Sequence, residues 1–169
     1  MKKRIIAFCF ALLACSTVFT AGISTVSAMP NALYYSGAAD LSEITECRGE
    51  GKVIAVIDTE LNTEHEMFSA IDDKKVRYTK DDISKIISSP DFNGSSDVDS
   101  VYVNSKIPYA FCYTYDDPNI GGQEFLYHGT HVSGIAAGNR TEYEGIGISG
   151  AAPDAQIIFM SVGTRGTGE

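Results

Sequence analysis

Two residues in this 169-residue chain have the type and setting that acid–base chemistry needs. Asp58 closes the apolar, β-branched run Val53-Ile54-Ala55-Val56-Ile57. A carboxylate there is costly to bury unless something pairs with it, although aspartate after a strand also serves as a simple cap for the next turn. His128 opens the segment His128-Gly129-Thr130-His131-Val132-Ser133-Gly134, where a glycine directly after the imidazole lets a second backbone come close. A helix starting at the histidine places the positive end of its dipole beside the ring and disfavours the imidazolium. A neighbouring buried carboxylate favours it. General-base work near neutral pH needs that balance. His128 and His131, three residues apart, also admit a metallohydrolase reading. Zinc-protease helices carry His-Glu-x-x-His, with a glutamate base between the ligands, and here Gly129 and Thr130 fill that space.

The elements that must position these residues can be read from periodicity. Val53–Ile57, bounded by glycines, reads as a strand buried on both faces, which implies a parallel sheet. The carboxyl end of such a strand is where parallel α/β sheets do their chemistry. Short helices are expected near Asp40–Cys47 and Thr63–Ala70. Thr79 followed by Asp81 and Asp82 predicts a capped helix carrying Ile83, Ile86 and Ile87 on one side. Residues 88–105 read as a solvated surface loop; its acidic residues could hold a structural calcium ion, but not with EF-hand spacing. Ile107–Tyr113 reads as a strand, His128–Gly138 as a helix rich in small residues, and Gln156–Val162 as a further apolar strand. Strand, helix and strand recur without an internal repeat, so the class is α/β, with a mainly parallel sheet flanked by helices.

Three segments carry a family resemblance. Gly51-Lys52-Val53-Ile54-Ala55-Val56-Ile57-Asp58-Thr59, with His65 a turn later, resembles the aspartate motif of the subtilisin-like serine proteases (subtilases). His128-Gly129-Thr130-His131-Val132-Ser133-Gly134-Ile135 resembles their histidine motif, and Gly147 to Gln156 resembles the Gly-Val-Ala-Pro-x-Ala segment before the next strand. Lys106-Ile107-Pro108-Tyr109-Ala110-Phe111 is similar to the cell-envelope branch, as in lactocepin and streptococcal C5a peptidase. The resemblance implies a subtilisin-like fold in which Asp58 orients the imidazole and His128 is the general base and acid. His131 would pack or hydrogen-bond within its helix, and His65 would support the turn after Asp58. Glu60 stands where the family has glycine, and Asn62 where it often has aspartate. A positive φ at position 60 would strain that turn.

The family's nucleophile motif, Gly-Thr-Ser-hydrophobic-Ala-x-Pro, has no counterpart here; Ser133, Ser149 and Ser161 stand in other settings. The expectation is a truncated domain: residues 49–169 as the N-terminal part of a peptidase domain, with the serine beyond Glu169 and no activity in the chain by itself. A catalytically silent binding module is the competing reading, and sequence continuing into the serine motif would remove it. Protein or peptide substrates are implied, and no cofactor.

Met1-Lys2-Lys3-Arg4, an uncharged run from Ile5 to Val26 and the small-residue exit Val26-Ser27-Ala28 form a secretory signal over residues 1–28. Residues 29–48 then form an N-terminal extension, too short for the usual folding-assisting propeptide. Leu12-Leu13-Ala14-Cys15 offers a competing lipidation site, which would anchor the protein to a membrane. Cleavage after Ala28 takes away three of the 13 basic residues and none of the 22 acidic ones, which leaves a net charge of −12. That balance disfavours nucleic acid and anionic membranes and suits a secreted, extracellular or cell-envelope protein. Cys47 and Cys112 survive cleavage, either as one disulfide or as two thiols.

Overall fold

The computed structural model describes residues 35–120 and 128–162. The expected secretory signal and the first residues of the expected extension lie outside the described residues. Among these residues no helix is long and apolar enough to cross a membrane.

The chain runs from helix α1 (Ala38–Thr45) into strand β1 (Val53–Asp58). Two 3-10 turns follow, Glu66–Phe68 and Asp73–Lys75, then helices α2 (Lys80–Ile87) and α3 (Val98–Val101) and strand β2 (Tyr109–Cys112). Helix α4 (His128–Ala137), the hairpin strands β3 (Thr141–Tyr143) and β4 (Ile146–Ile148), and strand β5 (Gln156–Ser161) complete it. β5 pairs in parallel with β1 on one side and β2 on the other, giving the order β1-β5-β2. The expected α/β class with a parallel sheet is therefore what the chain adopts.

Alternation along the strands sorts side chains to two faces. Val56, Ala110, Cys112, Ile157 and Phe159 join Leu61, Met67, Phe68 and Ala137 in one core. Tyr109 and Phe111 join Ile83, Ile87 and Val101 in a second, with Ile158 packed against it. Helix α4 thus lies on one side of the sheet and α2 with α3 on the other.

Several local expectations need correction. Burial on both faces belongs to β2, all four residues of which are buried, and not to β1, whose Ile57 is 63% exposed. The second core gathers against β2 and takes in no β1 residue, which leaves that face of β1 without cover among the described residues. Residues 88–105 are a solvated loop only in part: residues 88–97 are irregular and largely exposed, but Asp97 then caps α3 through the Asp99 amide, and Val101 is fully buried. The expected helix over Thr63–Ala70 is only the turn Glu66–Phe68, capped by the His65 ring. Cys47 and Cys112 are free thiols, one exposed and one buried. The helix at Thr79 forms with a reciprocal capping box between Thr79 and Asp82 and buries Ile83 and Ile87, while Ile86 is 43% exposed.

Helix α4 is fixed at its far end by the loop after β4. Gly150, Ala151 and Ala152 amides donate to the carbonyls of Gly138, Ile135 and Ala136, which would otherwise be orphaned at the helix C-terminus.

Candidate active site

Asp58 is the last residue of β1 and His128 the first of α4, so both stand at the carboxyl edge of the sheet. The His128 Nδ1 lies 2.9 Å from Asp58 Oδ1 and 3.0 Å from Oδ2. An ionised carboxylate only accepts, so Nδ1 donates and Nε2 faces away on the other side of the ring. Exposure differs sharply across the pair: the Asp58 side chain is 13% exposed and that of His128 70%. One partner is thus shielded and the other presents its free edge outward.

Thr59 supports the carboxylate. Its backbone N–H donates to Asp58 Oδ1 at 2.7 Å, and its Oγ1 hydroxyl donates to the same oxygen at 3.2 Å. Burial pushes the Asp58 carboxyl up, but the hydrogen bonds from His128 and Thr59 outweigh it, so Asp58 titrates below the ordinary aspartate range.

Two contacts set the angle between strand and helix. The Asn62 N–H donates to Thr130 Oγ1 at 2.8 Å, tying the loop after Asp58 to the first turn of α4. Gly129 sits against the Glu60 backbone, where a side chain would not fit. Glu60 itself adopts no positive φ; among the described non-glycine residues only Glu46, Asp116 and Glu144 do. The strain expected at position 60 is therefore absent. Its carboxyl is the anomaly instead: 8% exposed, with Oε1 buried and unpartnered, and pushed above the ordinary glutamate value by burial.

Of the remaining histidines, His65 takes a structural role beside the turn after Asp58, whereas His131 is exposed and not packed within its helix. His65 Nδ1 accepts from the Met67 N–H at 3.2 Å, and its ring lies 6.0 Å from that of Phe68. His131 is exposed and, with His65, Asn62, Met67, Phe68 and Thr130, lines a mostly apolar cavity of about 320 Å³ beside the pair. Among the described residues no three His, Cys, Asp or Glu side chains cluster in a metal-binding group.

The serines are placed differently from a nucleophile. Ser133 is buried within α4, Ser149 lies in the loop after β4, and the Ser161 hydroxyl donates to the Thr59 carbonyl. Sequence reasoning also missed the setting of Lys106. It is fully buried, and its Nζ donates to the Pro153 and Ala155 carbonyls at 2.7 Å each. Burial pushes it down to about 8, against the opposing pull of Asp154.

What this arrangement can do is hold an imidazole in one tautomer and leave Nε2 open to take and return a proton. A model of the subtilase family matches residues 49–169. The chain is 35% identical over 124 residues to a PII-type proteinase of Lactococcus lactis subsp. cremoris, covering 70% of this chain and 6% of that protein. It is equally identical, over the same shares, to a PII-type proteinase of Lacticaseibacillus paracasei. Against a C5a peptidase of Streptococcus pyogenes serotype M3 it is 36% identical over 118 residues, which is 68% of this chain and 9% of the relative. The chain therefore spans less than a tenth of the length of these relatives.

Proposed function

This chain belongs to the subtilase family of serine peptidases, and on that premise we propose that it is the N-terminal part of a secreted endopeptidase whose triad takes Asp58 and His128 from residues 49–169. The nucleophilic serine is supplied by sequence after Glu169. The observation that carries this reading is the 2.9 Å bond between His128 Nδ1 and Asp58 Oδ1, with the far edge of the ring exposed at the sheet's carboxyl end.

In the proposed reaction His128 Nε2 removes the serine hydroxyl proton as Oγ bonds to the scissile carbonyl carbon. The imidazolium then gives that proton to the leaving amine as the C–N bond breaks. Water repeats the sequence on the acyl-enzyme, releasing the carboxyl product and restoring the serine. Asp58 stays ionised throughout, fixing the ring and stabilising the imidazolium. Its low titration range supports that role.

The substrates are extracellular proteins or peptides. The basic start, uncharged run and small-residue exit over residues 1–28 support export, and the net charge of −12 left after cleavage speaks against nucleic acid as a partner. Inhibition of peptide cleavage by a serine-directed phosphonate, in protein carrying the downstream sequence, tests the reading; chelator-sensitive, phosphonate-resistant cleavage would replace it with a metal mechanism.

A further inference from the structure

Ser161 is the last residue of β5 and stands in register with Asp58 on one side and Cys112 on the other. It is buried, and its backbone carbonyl is held by the Tyr113 N–H at 2.8 Å. β1 leaves the sheet immediately after Asp58. The last ladder bond between these strands runs from the Val162 N–H to the Asp58 carbonyl, at 2.9 Å. The next carbonyl along, that of Thr59, is instead taken by the Ser161 hydroxyl.

That bond matters because of what the other end of Thr59 does. The Thr59 N–H and Oγ1 both donate to Asp58 Oδ1. A residue whose carbonyl is tied down cannot swing, so its two donors stay aimed at the carboxylate. The carboxylate in turn stays aimed at His128 Nδ1. We propose that Ser161 is a positioning residue of this site: its hydroxyl pins Thr59, Thr59 fixes the Asp58 carboxylate, and Asp58 fixes the tautomer and tilt of His128. Ser161 neither touches substrate nor serves as nucleophile. The inference rests on the assignment of Asp58 as the residue that orients His128.

The tautomer itself is the readout, and it needs no turnover. In the full chain labelled with ¹⁵N at its three histidines, two-bond ¹H–¹⁵N correlations at a pH where the rings are neutral distinguish Nδ1–H from Nε2–H. Single His→Gln variants of His65 and His131 assign the His128 signal. Wild type is expected to hold His128 as Nδ1–H, and Asp58→Asn to convert it to Nε2–H. Ser161→Ala is expected to raise the Nε2–H fraction of His128 about threefold or more over wild type, and Ser161→Thr, which keeps the hydroxyl, to restore Nδ1–H. Should Ser161→Ala fail to give a native circular-dichroism spectrum, Ser161→Cys keeps the volume, weakens the donor and is read the same way. A wild-type tautomer insensitive to Asp58→Asn would overturn the dyad and this inference with it. A tautomer that responds to Asp58→Asn but not to the folded Ser161 variants would overturn the inference alone, as would a Ser161→Ala effect that Ser161→Thr does not reverse.

Discussion

Gly129 and Glu60 touch backbone to backbone: a Cβ on Gly129 would clash with the Glu60 carbonyl oxygen and stand 2.7 Å from the Phe159 ring. Neither neighbour can step aside easily, since one is main chain and the other is a fully buried ring in the central strand. This contact sets how near the start of α4 lies to the end of β1, and so how near His128 lies to Asp58.

Gly129→Ala should therefore destabilise the fold by about 1–3 kcal/mol, the usual range for forcing extra volume into a packed site. Thermal melting beside wild type checks it. An unchanged melting temperature would mean that strand and helix are not in contact as described.

Glu60→Gln should stabilise the protein at neutral pH. Burial raises the Glu60 carboxyl above its ordinary 4.5, so the folded state keeps a proton that the unfolded state has released. Its contribution is intact at low pH and is lost as pH rises through the raised value. Above that range an ionised, unpartnered oxygen is left in the protein at a cost of about 1 kcal/mol, toward the low end for a buried unpaired polar group. Urea denaturation from pH 4 to 8 should show wild type falling behind Glu60→Gln as pH rises. Parallel curves would place Glu60 in water.

Lys106 predicts the opposite slope at alkaline pH. Its folded value of about 8 lies below the ordinary 10.5, so between those values the unfolded state binds the proton and the folded state does not. Stability should rise over that window, and below pH 8 the buried charge is a standing cost. Near pH 10 buried Tyr109, whose hydroxyl is pushed up by burial, acts the other way, so the clean interval is pH 8 to 10. The stability difference between wild type and Lys106→Met across this interval should drift in favour of wild type with rising pH. A flat difference would mean that Lys106 keeps its charge through two carbonyls alone.

Much of the site was legible because Asp58 and His128 sit in motifs that also fix their elements, one ending a strand and one opening a helix. The α/β class followed from the apolar runs at 53–57 and 156–162. The burial of those runs was not legible, because it depends on which stretch of each sheet face is covered by packed helices, which composition does not record. Lys106 illustrates the same limit: a lysine reads as solvated, and only the fold reveals two carbonyls converging on its ammonium. The hairpin β3–β4 carries no clear signal in the sequence, although Glu144-Gly145 takes positive φ at both positions. That turn geometry favours Asn-Gly or Asp-Gly, so glutamate in the first place hid it. A serine at 161 reads in the sequence only as a candidate nucleophile in the wrong setting, whereas its register beside Asp58 makes it a neighbour of that residue.

Asp58 and His128 are proposed to act on a serine supplied from beyond residue 169. The direct measurement uses protein extended through its own downstream sequence, a fluorogenic peptide substrate and a serine-directed phosphonate whose adduct is mapped by mass spectrometry. The predicted result is phosphonate-sensitive cleavage with the label on a serine after Glu169, abolished by His128→Ala and lowered in kcat by about 10⁴ by Asp58→Asn, which mis-sets the imidazole tautomer. Residues 29–169 alone should neither cleave the peptide nor take the label. Label on Ser133, Ser149 or Ser161, or full turnover in His128→Ala, would contradict it.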